Sequence, residues 1–407
     1  MIGRVVPVLQ LTDDDVRAWR ELAEGAVEPN PLFEADCVIP AARHLPNGAD
    51  VSLVIAEEEG RFFGCFPVMR VPGNVRPSTT WRGVRRPAFT TQVRRATYDG
   101  TPLVSGERGV EAATVLLSAL IDRSRAEDAG ILVLESLDDD GPVSTSVTSA
   151  AKKLKLPTYT YSWPRPVVRR RDGLTYRSIH SDDTLRRFAR KRRRLGERLG
   201  GEVQLIDRSA DPSAVDTLIA MEAAGWKAKD GGALLSHPGE PEWFREMCDR
   251  FRSAGRLLLY TLQVGETIVA MQLMLRAGEG LFDLIMTYDE DYSRHSPGIQ
   301  LILDFIDHFH DETDALWLDT CTYEDNETWL RMCPDRRTVS TVVLAVGGRV
   351  DRLRLRLYAQ VQNLFGARLF AALQRLFGAR APFRSRHPRL CRALDWAVSK
   401  WKRSPWA

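Results

Sequence analysis

Residues 256–298 read RLLLYTLQVGETIVAMQLMLRAGEGLFDLIMTYDEDYSRHSPG. Three apolar, β-prone runs lie in this stretch, 256–264, 267–275 and 281–288. Gly265-Glu266 and the tetrapeptide 277–280 (AGEG) supply turn residues between them, so the spacing predicts an antiparallel meander. A helix opened by Ser296-Pro297-Gly298 follows, with Ile299, Ile302, Leu303 and Ile306 at helical spacing. Beyond it, 315–320 reads as a strand, 324–332 as a helix and 338–346 as a strand. The order is β-β-β-α-β-α-β.

The start of that helix carries the first chemical signal. Ser296 is a good N-cap, Pro297 suits the first helical position because its missing N–H would be unpaired there, and Gly298 admits close approach of a ligand. Free N–H groups at the positive end of the helix dipole favour an anion such as a pyrophosphate, and Arg294 adds a cation. Ser-Pro-Gly also opens ordinary helices, so its placement after the meander carries the reading.

Several landmarks extend the pattern: 222–227 (EAAGWK), Gly231-Gly232, Trp243-Phe244, Tyr288-Asp289, 292–298 (YSRHSPG) and Asp319 closing the next strand. Together they resemble the GNAT-type acetyltransferase domain of the CelD/BcsL-like family, which is associated with cellulose and exopolysaccharide biosynthesis. That family is similar to the Fem-type peptidyltransferases, which carry two fused GNAT-like folds. The resemblance covers 180–345 by motif and the first 180 residues by order of elements. It implies an α/β (α+β) chain of two tandem GNAT-like folds with mixed, mainly antiparallel sheets.

Length and composition agree. At 407 residues the chain exceeds what one hydrophobic core usually holds. In the first half, 5–9 reads as a strand, 13–24 as a helix, 51–57 and 61–70 as a hairpin around Glu59-Gly60, 109–126 as a helix, 131–136 as a strand and 144–154 as a helix. Residues 71–100, rich in Pro, Arg and Thr, form a long connection expected to hold an irregular strand. A strand at 202–207 and a helix at 211–226 restart the order. The expected domains are 1–180, 181–348 as the catalytic copy, and 349–407 as a basic helical tail. The first copy has no Ser-Pro-Gly start and an acidic Glu107 at the opening of its helix, so no pyrophosphate is expected there.

The six cysteines show no CxxC and no metal-ligand spacing, which points to reduced, mostly buried thiols and to no metal. No signal-peptide pattern and no apolar run of about 20 residues is present, so a cytoplasmic, non-spanning protein is expected.

The resemblance implies acyl transfer from acetyl-CoA or another acyl-CoA to an amine. That chemistry needs a base, donors for the oxyanion and an acid for the departing thiolate. Glu222, Asp283 and Asp319 are the candidate bases, and Tyr323 stands where such enzymes place the general acid. Met286, Arg294, Ser296, Gly298 and Ile299 are the expected cofactor contacts; Trp226, Tyr288 and Tyr292 are candidate acceptor contacts. The block Arg190, Lys191 and Arg194, on a helix that Ser181 to Asp183 can cap, is expected either to bind phosphates of a nucleotide-sugar or lipid-linked acceptor or to be a solvated face.

From Arg349 to the end, fourteen Lys or Arg stand against Asp351 and Asp395, a net +12, leaving −9 on residues 1–348 of a chain with net +3. Val350, Leu353, Leu357, Val361 and Leu364 form an apolar stripe, and Trp396, Trp401 and Trp406 lie among basic residues near the end. Two readings stand for this tail: an amphipathic helix on an anionic membrane surface, giving a peripheral place at the inner face, or a helical hairpin packed on the second domain. Three functions follow in order: an acyl-CoA-dependent N-acyltransferase acting on an amine of a cell-envelope, polysaccharide or amino-sugar precursor; a Fem-type aminoacyl-tRNA-dependent transferase, whose usual coiled-coil arm is missing; and a non-catalytic membrane-surface module. Nucleic acid is the less favoured partner.

Overall fold

The computed structural model describes residues 1–362 except 74–86, 92, 94–99, 172, 176, 177, 179 and 323–325. Its first half opens with β1 (Ile2–Pro7), β2 (Ser52–Glu58) and β3 (Arg61–Val71), followed by β4 (Ala88–Thr90), β5 (Leu103–Val104), β6 (Ile131–Asp138) and β7 (Thr158–Arg169). β2 and β3 meet at Glu59 and Gly60, both at positive φ (53° and 79°), the two-residue turn whose twist matches a hairpin. β4 is the irregular strand expected within 71–100.

The second half contributes β8 (Gln204–Asp207), β9 (Leu257–Val264), β10 (Thr267–Ala277), β11 (Gly280–Tyr288), β12 (Trp317–Asp319) and β13 (Asp335–Leu344). The meander β9-β10-β11 is antiparallel throughout, as the alternation predicts. Gly280 has to be glycine for packing, because a Cβ there would lie 2.2 Å from the Trp317 ring.

All the strands join one sheet, with the order β1-β2-β3-β4-β6-β13-β7-β12-β11-β10-β9-β8 and β5 against β3. The two halves therefore exchange strands. β13 pairs along ten positions with β7, and its other edge completes the first half by pairing with β6. β7, from the first half, pairs in turn with β12 of the second.

The helices cover both faces. Ala35–His44, Gly109–Glu127, Ser213–Ala224 and Glu240–Ser253 close a core that runs across both halves. Trp243 Nε1 donates to the Cys37 carbonyl at 3.2 Å, and Arg256 clamps Glu34 with two bonds of 2.6 and 2.7 Å. A second core holds Phe188 and Leu195 of Asp182–Leu199 against Ile302, Phe305 and Phe309 of Pro297–Asp311. Helix Arg349–Val361 buries Leu355 and sets Tyr358 edge-on to Tyr159 at 5.2 Å. It leaves Val350, Leu353, Leu357 and Val361 about half exposed along one stripe. The rest of the expected tail, including Leu364, Cys391 and the three tryptophans, lies outside the described residues. Among the described residues no helix is long and apolar enough to cross a membrane.

Candidate active site

The site begins where β11 leaves its neighbour. β11 and β12 are parallel partners only from Gly280↔Trp317 to Phe282↔Asp319. From Asp283 to Tyr288, β11 continues with no strand on that side among the described residues, so its edge N–H and C=O groups have no ladder partner there. A bulge lies at the same level: Leu273 faces Ile285 while Met274 faces Asp283, which leaves Leu284 as the extra residue. Bulges turn the local strand and re-aim side chains.

The chain then passes through a turn of 3-10 helix, Glu290–His295, into Pro297–Asp311. Gly298 is buried; an added Cβ would touch Tyr288 Cδ1 at 3.4 Å and the Met286 thioether at 3.6 to 3.7 Å. The open edge of β11 and the first turn of the helix therefore face each other across Met286, Tyr288 and Gly298. Ile299 is half-buried beside them, and Arg294 is exposed in the turn ahead.

Ser296 departs from its expected role. It occupies the N-cap position, but in left-handed conformation (φ 54°, ψ 53°), and its hydroxyl caps no helical N–H. Instead the hydroxyl accepts from Lys191 Nζ at 2.6 Å, while the Gln300 N–H reaches its carbonyl at 3.1 Å. Lys191 thus lies at the helix start, within the expected cofactor group, while Arg190 and Arg194 are exposed on the same helix. Ser181 likewise sits at a cap position without capping; its hydroxyl bonds Thr184 at 3.2 Å. Tyr292 is half-buried under the Arg198 guanidinium at 4.8 Å, and Trp226 is 49% exposed.

The three carboxylates occupy different environments. Glu222, only 3% exposed, accepts from Lys227 Nζ at 3.0 Å and from the Leu234 N–H at 2.9 Å, one bond to each oxygen, and so pins the 226–236 segment to its helix. Asp319, fully buried, takes Arg165 at 3.4 Å, Arg337 and the Cys321 N–H. Burial works to raise its pKa, but the two guanidinium groups and that N–H hold the carboxyl below its usual range. A carboxylate so held is a poor proton acceptor and a good strut between β7, β12 and β13.

Asp283 is different. It is 6% exposed and has one hydrogen bond, accepted from Gln272 Nε2 at 3.1 Å across the strand pair. Burial pushes its carboxyl up to about 7, against the pull of Gln272 and Lys227 and with the help of the Asp319 charge. Asp283 thus has the affinity of a base poised near neutral pH. Tyr323 lies outside the described residues. Sequence reasoning missed Gln272, Arg165 and Arg337; a polar residue inside an apolar strand was the only signal for the first.

Residues 183–327 match the Acetyltransferase (GNAT) domain family. Among solved structures the chain is similar to FemX, at 10% identity over 84% of this chain and 97% of that one, with a TM-score of 0.53. It is also similar to a conserved protein of unknown function from Bacteroides thetaiotaomicron VPI-5482 (12% identity, 82% and 98% coverage, TM-score 0.49). A third is the C-terminal domain of a putative lysylphosphatidylglycerol synthetase from Agrobacterium fabrum (12%, 86% and 96%, TM-score 0.46). No curated protein matches the chain. The FemX likeness shows the fold alone. The chain has the tandem GNAT-like α/β fold, and with an acetyltransferase (GNAT) domain at 183–327 it is an acyltransferase.

Proposed function

We propose that the protein transfers an acyl group, acetyl or longer, from coenzyme A to an amine of a cell-envelope, polysaccharide or amino-sugar precursor. The observation that carries this reading is the open edge of β11 at 283–288 running directly to the helix start at Gly298. A strand edge suits the amide-bearing arm of an acyl-CoA, and the helix start suits its pyrophosphate. The acceptor class rests on the resemblance to the CelD/BcsL-like family.

In this scheme Asp283 takes the proton of the attacking amine. The nitrogen forms a bond to the thioester carbon, edge N–H groups of β11 stabilise the oxyanion, and the C–S bond breaks to leave a thiolate. Tyr323 is the proposed acid that protonates it. Gln272 holds Asp283, while Glu222 and Asp319 maintain the walls. Trp226, Tyr288 and Tyr292 are the proposed acceptor contacts.

The tail adds a place of action. The exposed Val350, Leu353, Leu357 and Val361, on a helix that also carries Arg349, Arg352, Arg354 and Arg356, fit the surface of an anionic membrane. Calorimetry with acetyl-CoA tests the enzyme reading: saturable 1:1 binding that Gly298→Asp weakens supports it, and no binding by the intact chain overturns it.

A further inference from the structure

The helix Asp182–Leu199 carries more positive charge than its own contacts neutralise. Arg186 pairs with Asp183 at 2.6 Å, Arg193 with Glu197 at 3.3 Å, and Arg192 with Asp304 at 2.7 Å. Arg198 donates to the Asp291 carbonyl at 3.1 Å. Arg187, Arg190 and Arg194 are exposed and have no ion pair among the described residues. Like charges one turn apart repel, an effect that Asp183 and Glu197 on the same helix offset only in part, so the three arginines favour an anion among them.

Their direction is fixed by the rest of the helix. Phe188 and Leu195 face the core. At 100° per residue, Arg187, Arg194 and Arg198 fall within about 60° of Lys191, on the flank next to that buried line. Two members of this set are anchored: Lys191 bonds the Ser296 hydroxyl, and Arg198 lies over the Tyr292 ring. The flank is therefore held against the turn that precedes Pro297–Asp311, with Arg187 and Arg194 one turn to either side of Lys191. Of the two acids in that turn, Glu290 is paired with Lys229 at 2.6 Å, and Asp291, whose carbonyl accepts from Arg198, is exposed.

We propose that Arg187 and Arg194, flanking Lys191, form a site for a phosphate monoester dianion beside the pyrophosphate position. This rests on the acyl-CoA reading above and extends it. A coenzyme A thioester carries such a group, its 3′-phosphate, in addition to the pyrophosphate, so the basic flank selects the complete coenzyme over its dephosphorylated form. Lys191, touching Ser296, serves the pyrophosphate side. The diphosphate of a nucleotide-linked acceptor could also place anionic oxygens against the two guanidinium groups, and the test separates the two sources.

Binding of acetyl-CoA, acetyl-3′-dephospho-CoA and a nucleoside-diphosphate sugar is measured by calorimetry on the full chain and on Arg187→Gln/Arg194→Gln, two exposed positions of which Arg187 touches the core only through the Phe188 ring, 5.3 Å away. The intact protein is expected to bind acetyl-CoA about tenfold tighter than the dephospho thioester, the size of one or two charge-assisted hydrogen bonds. In the double variant that preference disappears while the dephospho thioester binds as before. Lys191→Met weakens both thioesters alike. Equal affinity of the intact protein for the two thioesters overturns the proposal. So does a nucleoside-diphosphate sugar whose binding is lost in the double variant while the thioester preference stays. Binding of neither thioester overturns the acyl-CoA reading and this site with it.

Discussion

Asp283→Asn is expected to make the protein more stable at pH 8 while abolishing acyl transfer. Burial lifts the Asp283 carboxyl from an ordinary 3.8 to about 7. Between those values the folded protein holds a proton that the unfolded chain has released, so stability falls as pH rises through the window. At 1.4 kcal/mol per unit, the cost above pH 7 reaches about 4 kcal/mol as an upper bound. An asparagine amide is neutral at every pH. Its oxygen can accept from Gln272 Nε2, and its NH2 offers a donor to Gln272 Oε1, a buried acceptor that lacks a partner. For a chain of this size the gain corresponds to a rise in Tm of up to roughly 5 °C at pH 8. The gain should shrink toward zero at pH 4.5, where the carboxyl is mostly protonated in the folded protein. Thermal unfolding of both proteins at the two pH values reads it, and release of free thiol from acetyl-CoA reads activity once an amine acceptor is in hand. In wild type, kcat/KM should rise with pH through a midpoint near 7. A variant less stable than wild type at pH 8, or a difference that does not depend on pH, would refute the reasoning.

Three further outcomes follow from the same geometry. Gly298→Asp places a carboxylate between the helix start and Met286 and Tyr288, and acetyl-CoA affinity should fall at least about tenfold, with unchanged circular dichroism. Asp319→Asn removes the carboxylate that pairs with the buried Arg165 and with the half-buried Arg337, which also lies 3.9 Å from Asp138; urea denaturation should show a loss of about 3–5 kcal/mol, and a loss under 1 kcal/mol would remove the strut role. Leu353→Glu/Leu357→Glu should abolish sedimentation of the full chain with vesicles rich in anionic lipid while sparing acetyl-CoA binding; retained sedimentation, or none by wild type, would return that stripe to protein packing.

The second half was legible because its alternation is strong and its turns are marked by Gly265, Gly278 and Gly280. Strand β7 was not read at all. Its sequence, TYTYSWPRPVVR, holds Pro164 and Pro166, which ordinarily argue against an interior strand. Here the Thr320 hydroxyl donates to the Pro166 carbonyl at 2.9 Å, so the proline positions turn their backbone toward the end of the short β12, where no ladder N–H is needed. Helix Ala35–His44 was hidden by Pro40. At the site, Asp283 and Gly298 stand out in the sequence, whereas the Lys191 to Ser296 bond spans 105 residues and the Arg165 to Asp319 pair 154. Such pairings depend on strand order and helix placement, which local periodicity does not encode.

The position of β13 has a consequence for biosynthesis. The edge of β6 waits for residues 335–344, which leave the ribosome some two hundred residues after it. The amino-terminal half thus emerges with its sheet unfinished and an apolar strand edge open, and it cannot complete its pairing until nearly all of the described chain has been made. Folding is then a closing event across both halves, slow for its high separation in sequence and exposed to aggregation until it happens. Separately expressed halves should each lack a central strand, and they should recover structure only when mixed.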